Sequence, residues 1–290
     1  MTGQLIISGL TIGSIYAMLA LAMSIIYKAS EIPNFAQGDM GMISTYIAYM
    51  ILVVHGWPFW MAFAGAIIFA VILGFLFEFL FIRRAKEPNI LNLIIVTLGF
   101  QLFLYGMTGW RWGSDQRRLG MPFSETDTIN VGGVVISHLG VATILTSIII
   151  MVMLWFFLSR TKLGLAMKAV QQNPMAAEIN GIPKDRILGI SFAISSVIGA
   201  MAGMMIAPIT TLDPNMMWDP LMKGFAAAVL GGMTSLPGAI LGGYLLGIIE
   251  NLFGFYVSLE FKSVVAFLII VLVLVFKPAG ILGHHYVRKV

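Results

Sequence analysis

The chain has 290 residues, 59% of them hydrophobic and only 10% charged, with a mean hydropathy of +0.95. Soluble domains carry about 25% charged residues, so lipid must be the solvent for much of this surface. The absence of cysteine excludes disulfides and thiolate metal sites, and the net charge of +4 is spread in small groups between apolar runs, a topological signal rather than a nucleic-acid footprint.

A spanning helix needs roughly 20 mostly apolar residues. The candidate runs are 5–26, 38–54, 59–82, 89–106, 139–158, 187–207, 237–256 and 264–276. No Lys or Arg precedes the first, which reads as a retained membrane helix rather than a signal peptide. A further run, 221–232, is too brief for an ordinary span. It reads as a short helix wedged inside the protein or as part of a broken one, since non-helical backbone at membrane depth needs protein or water around it. The expected fold is all-α: one polytopic transmembrane helical bundle over 1–290, with about eight or nine spans.

Charge sets the orientation. Arg83, Arg84 and Lys86, the 160–186 stretch with Lys162, Lys168 and Lys184, and the tail with Lys277, Arg288 and Lys289 are basic, and by the positive-inside rule they are cytoplasmic. Lys28 falls on the same side. Trp57, Trp60, Trp110, Trp112 and Trp218 suit an outer interfacial belt, on the side that also holds Asp213 and Asp219. An outer N-terminus and an inner C-terminus require an odd number of crossings, which favours nine with a short seventh. Two connecting segments stand out: an outer loop, 107–137, with a β-hairpin around 129–136 turning at Gly132–Gly133, and an inner loop, 159–186.

The inner loop reads as two short helices. The first runs through 166–172. Asn173 can cap the second, with Pro174 at its first position, and Gly181 closes it. Such a helix can seat in a partner's groove as a rigid peg, or be a solvated surface loop. Asn34-Phe-Ala-Gln-Gly-Asp39 places a polar cluster at the start of an apolar helix, with Asp39 in the first turn. It reads as a helix cap or as a gate lining. Gly231-Gly-Met-Thr-Ser-Leu-Pro-Gly238 opens another helix in the second half, with Ser235 as cap and Pro237 at the first position, which suggests a distant internal repeat. Thr97 and Gln101 share a helix face, as do Ser191 and Ser195; interhelical hydrogen bonds and pathway lining both account for them. Glu78 lies near enough to Arg83 to pair at the inner interface, and Glu250 could face a vestibule. The Gly pairs 9/13, 199/203, 238/242 and 243/247 signal close helix packing, within one subunit or at a dimer seam.

No GxxxxGK[ST], HExxH, GxSxG or Cys/His cluster occurs, so no catalytic or metal site is expected; His284-His285 in the tail is a poor metal candidate. An intramembrane enzyme would need clustered carboxylates or histidines, and here they are scattered. A secondary transporter would need intramembrane carboxylates suited to ion coupling, which are scarce.

The Ala176-Ala-Glu-Ile-Asn-Gly181 element resembles the coupling loop of ABC importer permeases. With Gly13-Ser-Ile-Tyr-Ala-Met-Leu-Ala-Leu21, Ile32-Pro-Asn-Phe-Ala-Gln-Gly-Asp39, Asn173-Pro-Met-Ala-Ala-Glu-Ile-Asn-Gly-Ile182, Leu230-Gly-Gly-Met-Thr-Ser-Leu-Pro-Gly-Ala-Ile-Leu-Gly-Gly-Tyr-Leu-Leu-Gly247 and Phe276-Lys-Pro-Ala-Gly-Ile-Leu-Gly283, the chain resembles the LivH-type subunit of the branched-chain amino acid ABC permease family. The resemblance implies a transport subunit of the bacterial inner membrane, not an enzyme. It implies a heterodimer with a LivM-type permease, two ABC ATPase subunits that use ATP, and a periplasmic substrate-binding protein. No cofactor is expected on this chain itself. The resemblance further implies that Asn173, Pro174, Ala176, Ala177, Glu178 and Gly181 couple to an ATPase, and that branched-chain or other hydrophobic amino acids are carried, with urea or short amides as the alternative of a related branch. Asn34, Gln37, Thr97 and Gln101, uncharged and polar, are the candidates for a pathway or gate that passes a zwitterion without trapping it.

The charge pattern predicts that single cysteines introduced at 159–186 react with impermeant thiol reagents only from the cytoplasm, and that those at 107–137 react only from the other side. Labelling of the 159–186 loop from the periplasm would overturn the orientation.

Overall fold

A computed structural model describes residues 2–85, 89–122, 127–131 and 133–283. Lys86, Gly132, His284, His285, Arg288 and Lys289 therefore lie outside the described residues. The elements follow in order as α1 (Thr2–Ser30), α2 (Gln37–Tyr49) continued by a π-helical turn (Met50–Val54), α3 (Phe59–Phe77) continued by a second π turn (Glu78–Ile82), α4 (Ile90–Trp112), β1 (Thr128–Val131), β2 (Val134–Ser137), α5 (His138–Arg160), α6 (Lys162–Gln172), α7 (Pro174–Ile179), α8 (Lys184–Ile206), α9 (Trp218–Gly231), α10 (Leu236–Tyr256) and α11 (Lys262–Phe276). Every apolar run became a helix, and local chemistry sets many of the ends. Asn89 caps α4 by accepting from Asn92 N–H, Pro58 and Pro183 precede α3 and α8, and Ser235 caps α10. α10 begins one residue earlier than expected, so Pro237 is its second position.

Among the described residues, six helices are long and apolar enough to cross a membrane: α1, α3 with its π turn, α4, α5, α8 and α10. The polytopic, mainly helical reading holds. A count of eight or nine does not follow from length and apolarity alone, because α2 passes into π geometry after 13 residues, α9 has 14 and α11 has 15.

The chain forms two compact units, each assembled from separated stretches of sequence, with the divisions falling inside α1 and α5. One unit holds α1 up to Ser24, the hairpin, α5 up to Ser147, and α9 to α11. Its strands pair antiparallel, Thr128 opposite Ser137 and Val131 opposite Val134. Gln4 of α1 pins the hairpin by donating from Nε2 to Val135 O (2.7 Å) and accepting from Val135 N–H (2.8 Å). Packing depends on glycine. Gly9 and Gly13 of α1 meet the Gly243 and Gly247 stretch of α10, and Gly242 meets Ala227 of α9 backbone to backbone.

The other unit holds the rest of α1 and α5 together with α2, α3, α4, α6, α7 and α8. Its centre is aromatic: Phe77 stacks on Phe100 at 4.3 Å and tilts against Phe192 at 5.7 Å. Ile26, Ile32, Met40 and Ile43 complete this core. α8 is largely covered whereas the outer face of α4 is bare and apolar, as a lipid-facing helix requires. Trp112 is partly covered, packing on Tyr46 at 5.0 Å, while Trp57, Trp60, Trp110 and Trp218 are exposed. All four glycine pairs of the sequence thus pack inside the chain, Gly199 and Gly203 against α2.

Gly74 of α3 lies so close to α8 that a Cβ there would sit 2.6 Å from Phe192 O, whereas Gly99 of α4 has nothing within 4 Å. Gly74→Ala should cost about 1–3 kcal/mol by overpacking, and Gly99→Ala should be neutral or stabilising by about 0.5–1 kcal/mol. Thermal melting of the detergent-purified protein checks this; equal shifts would contradict the packing.

Candidate functional site

The inner loop folds as two capped helices. Thr161 Oγ1 accepts from Gly164 N–H (3.0 Å) to open α6, and Asn173 Oδ1 accepts from Ala176 N–H (3.0 Å) to open α7, with Pro174 in its first turn. At the far end, Ile182 N–H donates to Ala177 O and Gly181 N–H to Glu178 O, both at 2.9 Å. This is the double hydrogen bond of a Schellman cap, and Gly181 supplies the left-handed residue it needs, at φ +79°. The loop is therefore a preformed rigid feature. Its faces differ from the expectation in one respect. Ala177 is buried against its own chain, while Met175 and Ile179 are 74% and 81% exposed beside the exposed Ala176 and Glu178. The exposed apolar pair was missed because a six-residue helix has too little periodicity to declare which side faces inward.

The start of α2 gathers the polar candidates into neighbouring buried hydrogen-bonded groups. Asn34 Oδ1 accepts from Ala36 N–H (3.1 Å), and Asn34 Nδ2 donates to Gln37 Oε1 (3.5 Å). Gln37 bridges to α8 twice: Nε2 donates to Ser195 O and Ser195 Oγ donates to Gln37 Oε1, each at 2.8 Å. Phe35 N–H donates to Thr97 Oγ1 (3.4 Å), and Gln101 donates to the Asp39 carboxylate. Asn34, Gln37 and Thr97 are fully buried; Asp39 and Gln101 retain a sliver of exposure. The amide that reaches a serine on a neighbouring helix is thus Gln37, while Gln101 serves the carboxylate.

Each unit also holds one buried ionic pair. The π turn ending α3 brings residues five apart into register, so Arg83 N–H donates to Glu78 O (2.8 Å) and the guanidinium grips the Glu78 carboxylate at 3.1 and 2.8 Å. Gly189 of α8 leaves room for that carboxylate. Hydrogen bonding to Glu78 raises the Arg83 guanidinium above its usual range, which keeps it charged. In the unit holding α9 and α10, Glu250 is not exposed to a vestibule but is buried against Lys223. The signal that could have found this pair was the lone lysine in the 221–232 run.

The model for the permease component of branched-chain amino acid transport systems matches residues 5–274. The chain belongs to this family. It is 32% identical to the high-affinity branched-chain amino acid transport system permease protein LivH of Escherichia coli K12, covering 99% of this chain and 97% of that one. Identity to BraD of Pseudomonas aeruginosa is also 32%, with the same coverage. Among solved structures, PsaBC from Streptococcus pneumoniae in complex with Fab is similar in fold, with a TM-score of 0.51 at 12% identity over 94% of this chain and 91% of that one. The chain is a membrane-embedded permease, a transport component rather than an enzyme.

If the Gln37–Ser195 bridge holds α2 to α8, Gln37→Met should destabilise by about 1–3 kcal/mol, because it strands buried polar groups. Ser191→Ala should be nearly silent, since Ser191 only back-bonds to Ile187 O in its own helix. Melting temperatures of the two variants test this; equal losses would remove the bridge from the account.

Proposed function

We propose that the protein is the LivH-like half of an ATP-driven importer that carries branched-chain or other hydrophobic amino acids across the bacterial inner membrane. The observation that carries the reading is the rigid, doubly capped α7 with an exposed apolar tip in a chain of this permease family. The partners in this reading are a LivM-type permease, two ATPase subunits and a periplasmic binding protein. The ATPases supply ATP hydrolysis, and closure on ATP is transmitted through α7. Asn173 and Gly181 shape the peg, Ala177 seats it on its own chain, and Met175, Ala176, Glu178 and Ile179 meet the ATPase. All nine long or apolar helices cross, with α2, α9 and α11 as the short members, so the N-terminus is periplasmic and the C-terminus cytoplasmic. Asn34, Gln37, Thr97 and Gln101 border the route at its inner end, with Asn34 and Gln37 held by each other and by α8, and Thr97 and Gln101 held at the start of α2, between substrate passages. Their gathering around the start of α2 supports a shared role. Cysteines at these four positions, tested for reactivity in the presence and absence of trapped nucleotide, check that part; four inert positions in an active complex remove it.

A Met175→Asp, Ile179→Asp double variant should reduce leucine uptake and ATPase co-purification by about tenfold or more while membrane insertion is unchanged. Gly181→Val should strain the left-handed cap by about 1 kcal/mol or more and weaken coupling. Normal uptake and normal ATPase recovery in the double variant would refute the docking assignment.

A further inference from the structure

Lys223 lies in α9 one turn after Asp219 and faces Glu250 of α10. Its Nζ is 2.7 Å from Asp219 Oδ2 and 2.5 Å from Glu250 Oε1, and 5.7 Å from the centroid of the Tyr16 ring on α1. Lys223 and Glu250 are almost wholly buried, while the Asp219 side chain is 57% exposed. Ser263 of α11 donates to Asp219 Oδ1 at 3.4 Å. The cluster thus runs from the surface into the packed interior. It holds two carboxylates against one ammonium, with the Tyr16 phenol beside the Glu250 carboxylate.

Packing does not require these charges. α9 and α10 already meet backbone to backbone where Gly231 faces Gly238 and Gly242 faces Ala227. The end of α9 is also held by the chain after α11, since Ile281 N–H donates to Leu230 O (2.8 Å) and Leu282 N–H to Gly231 O (3.0 Å). An apolar pair at 223 and 250 would fill the same space without the desolvation cost of a buried ion pair. Glu250 lies six residues from the end of α10, about 9 Å along the helix axis. A charge at that depth in a membrane protein is by default a functional group.

We propose that Asp219, Lys223 and Glu250 form a recognition subsite for a zwitterion, a deepening that rests on the amino-acid reading above. Glu250 is the fixed counter-ion of Lys223. Asp219, the exposed member, takes the incoming ammonium, and Lys223 turns its freed side to the carboxylate. The geometry suits an α-amino acid. Its two charges flank one carbon, and Asp219 and Lys223 are opposite charges in direct contact.

The test uses the complete transporter in vesicles, with Ser263→Cys as reporter beside Asp219 and a cationic methanethiosulfonate as reagent. Leucine should slow modification by about tenfold, the 2-oxo acid of the same skeleton should not, and Asp219→Asn should abolish the protection. Absent protection with intact leucine uptake overturns the subsite, as does equal protection by sodium ions. Failure of the unaltered complex to take up leucine defeats the amino-acid reading instead, and the subsite falls with it. A Lys223→Met, Glu250→Leu double variant supplies the second arm. Uptake should fall about tenfold or more with the melting temperature held; unchanged uptake would make the charges mere packing and overturn the proposal.

Discussion

Inside a bilayer no water is available to take up an unused hydrogen bond, and the rest of this structure depends on that constraint. Backbone groups meet it by forming helices from every apolar run. The side chains that remain polar meet it through partners within the chain. Serines and threonines along the helices return their hydroxyl protons to a carbonyl one turn back, as Ser14 does to Leu10 O and Thr108 to Leu104 O. Longer polar groups cannot do this. Gln37 reaches Ser195, Gln101 reaches Asp39, Glu78 reaches Arg83 and Lys223 reaches Glu250. Each longer polar group thus joins two elements or two turns.

Dispersion does the rest. Lipid is as apolar as leucine, so helices associate by fit rather than by escape from water. Fit is best where backbones touch, and the glycines lie where they do. Gly41 against Gly199 joins α2 to α8, and Gly13 against Gly243 and Tyr244 joins α1 to α10. The bulky apolar residues are divided between the inside and the lipid. Phe77, Phe100 and Phe192 fill a core, while Trp155, Phe156 and Leu102 cover outward faces.

At the ends of the helices water returns, and specific caps take over. α7 shows what this achieves in a permease. Six residues cannot form a stable helix alone, yet an asparagine cap, a proline and a Schellman turn hold α7 in one conformation. A rigid tip can transmit a displacement that a loose loop would absorb.

The sequence by itself determined the solvent, the helices, the caps and the family. Apolar runs of spanning length admit no other structure in lipid, and Asn173, Pro174 and Gly181 act within a few residues of themselves. It also determined the Glu78–Arg83 pair, which is local along one helix. The tertiary structure alone decided which distant segments share a unit. It decided that Gln37 meets Ser195, that Ala177 turns inward, that Trp112 packs on Tyr46, and that Glu250 belongs to Lys223. These outcomes depend on helix rotation and on contacts across long stretches of chain. An all-apolar helix carries almost no periodicity to declare its rotation, because lipid and protein interior accept the same side chains.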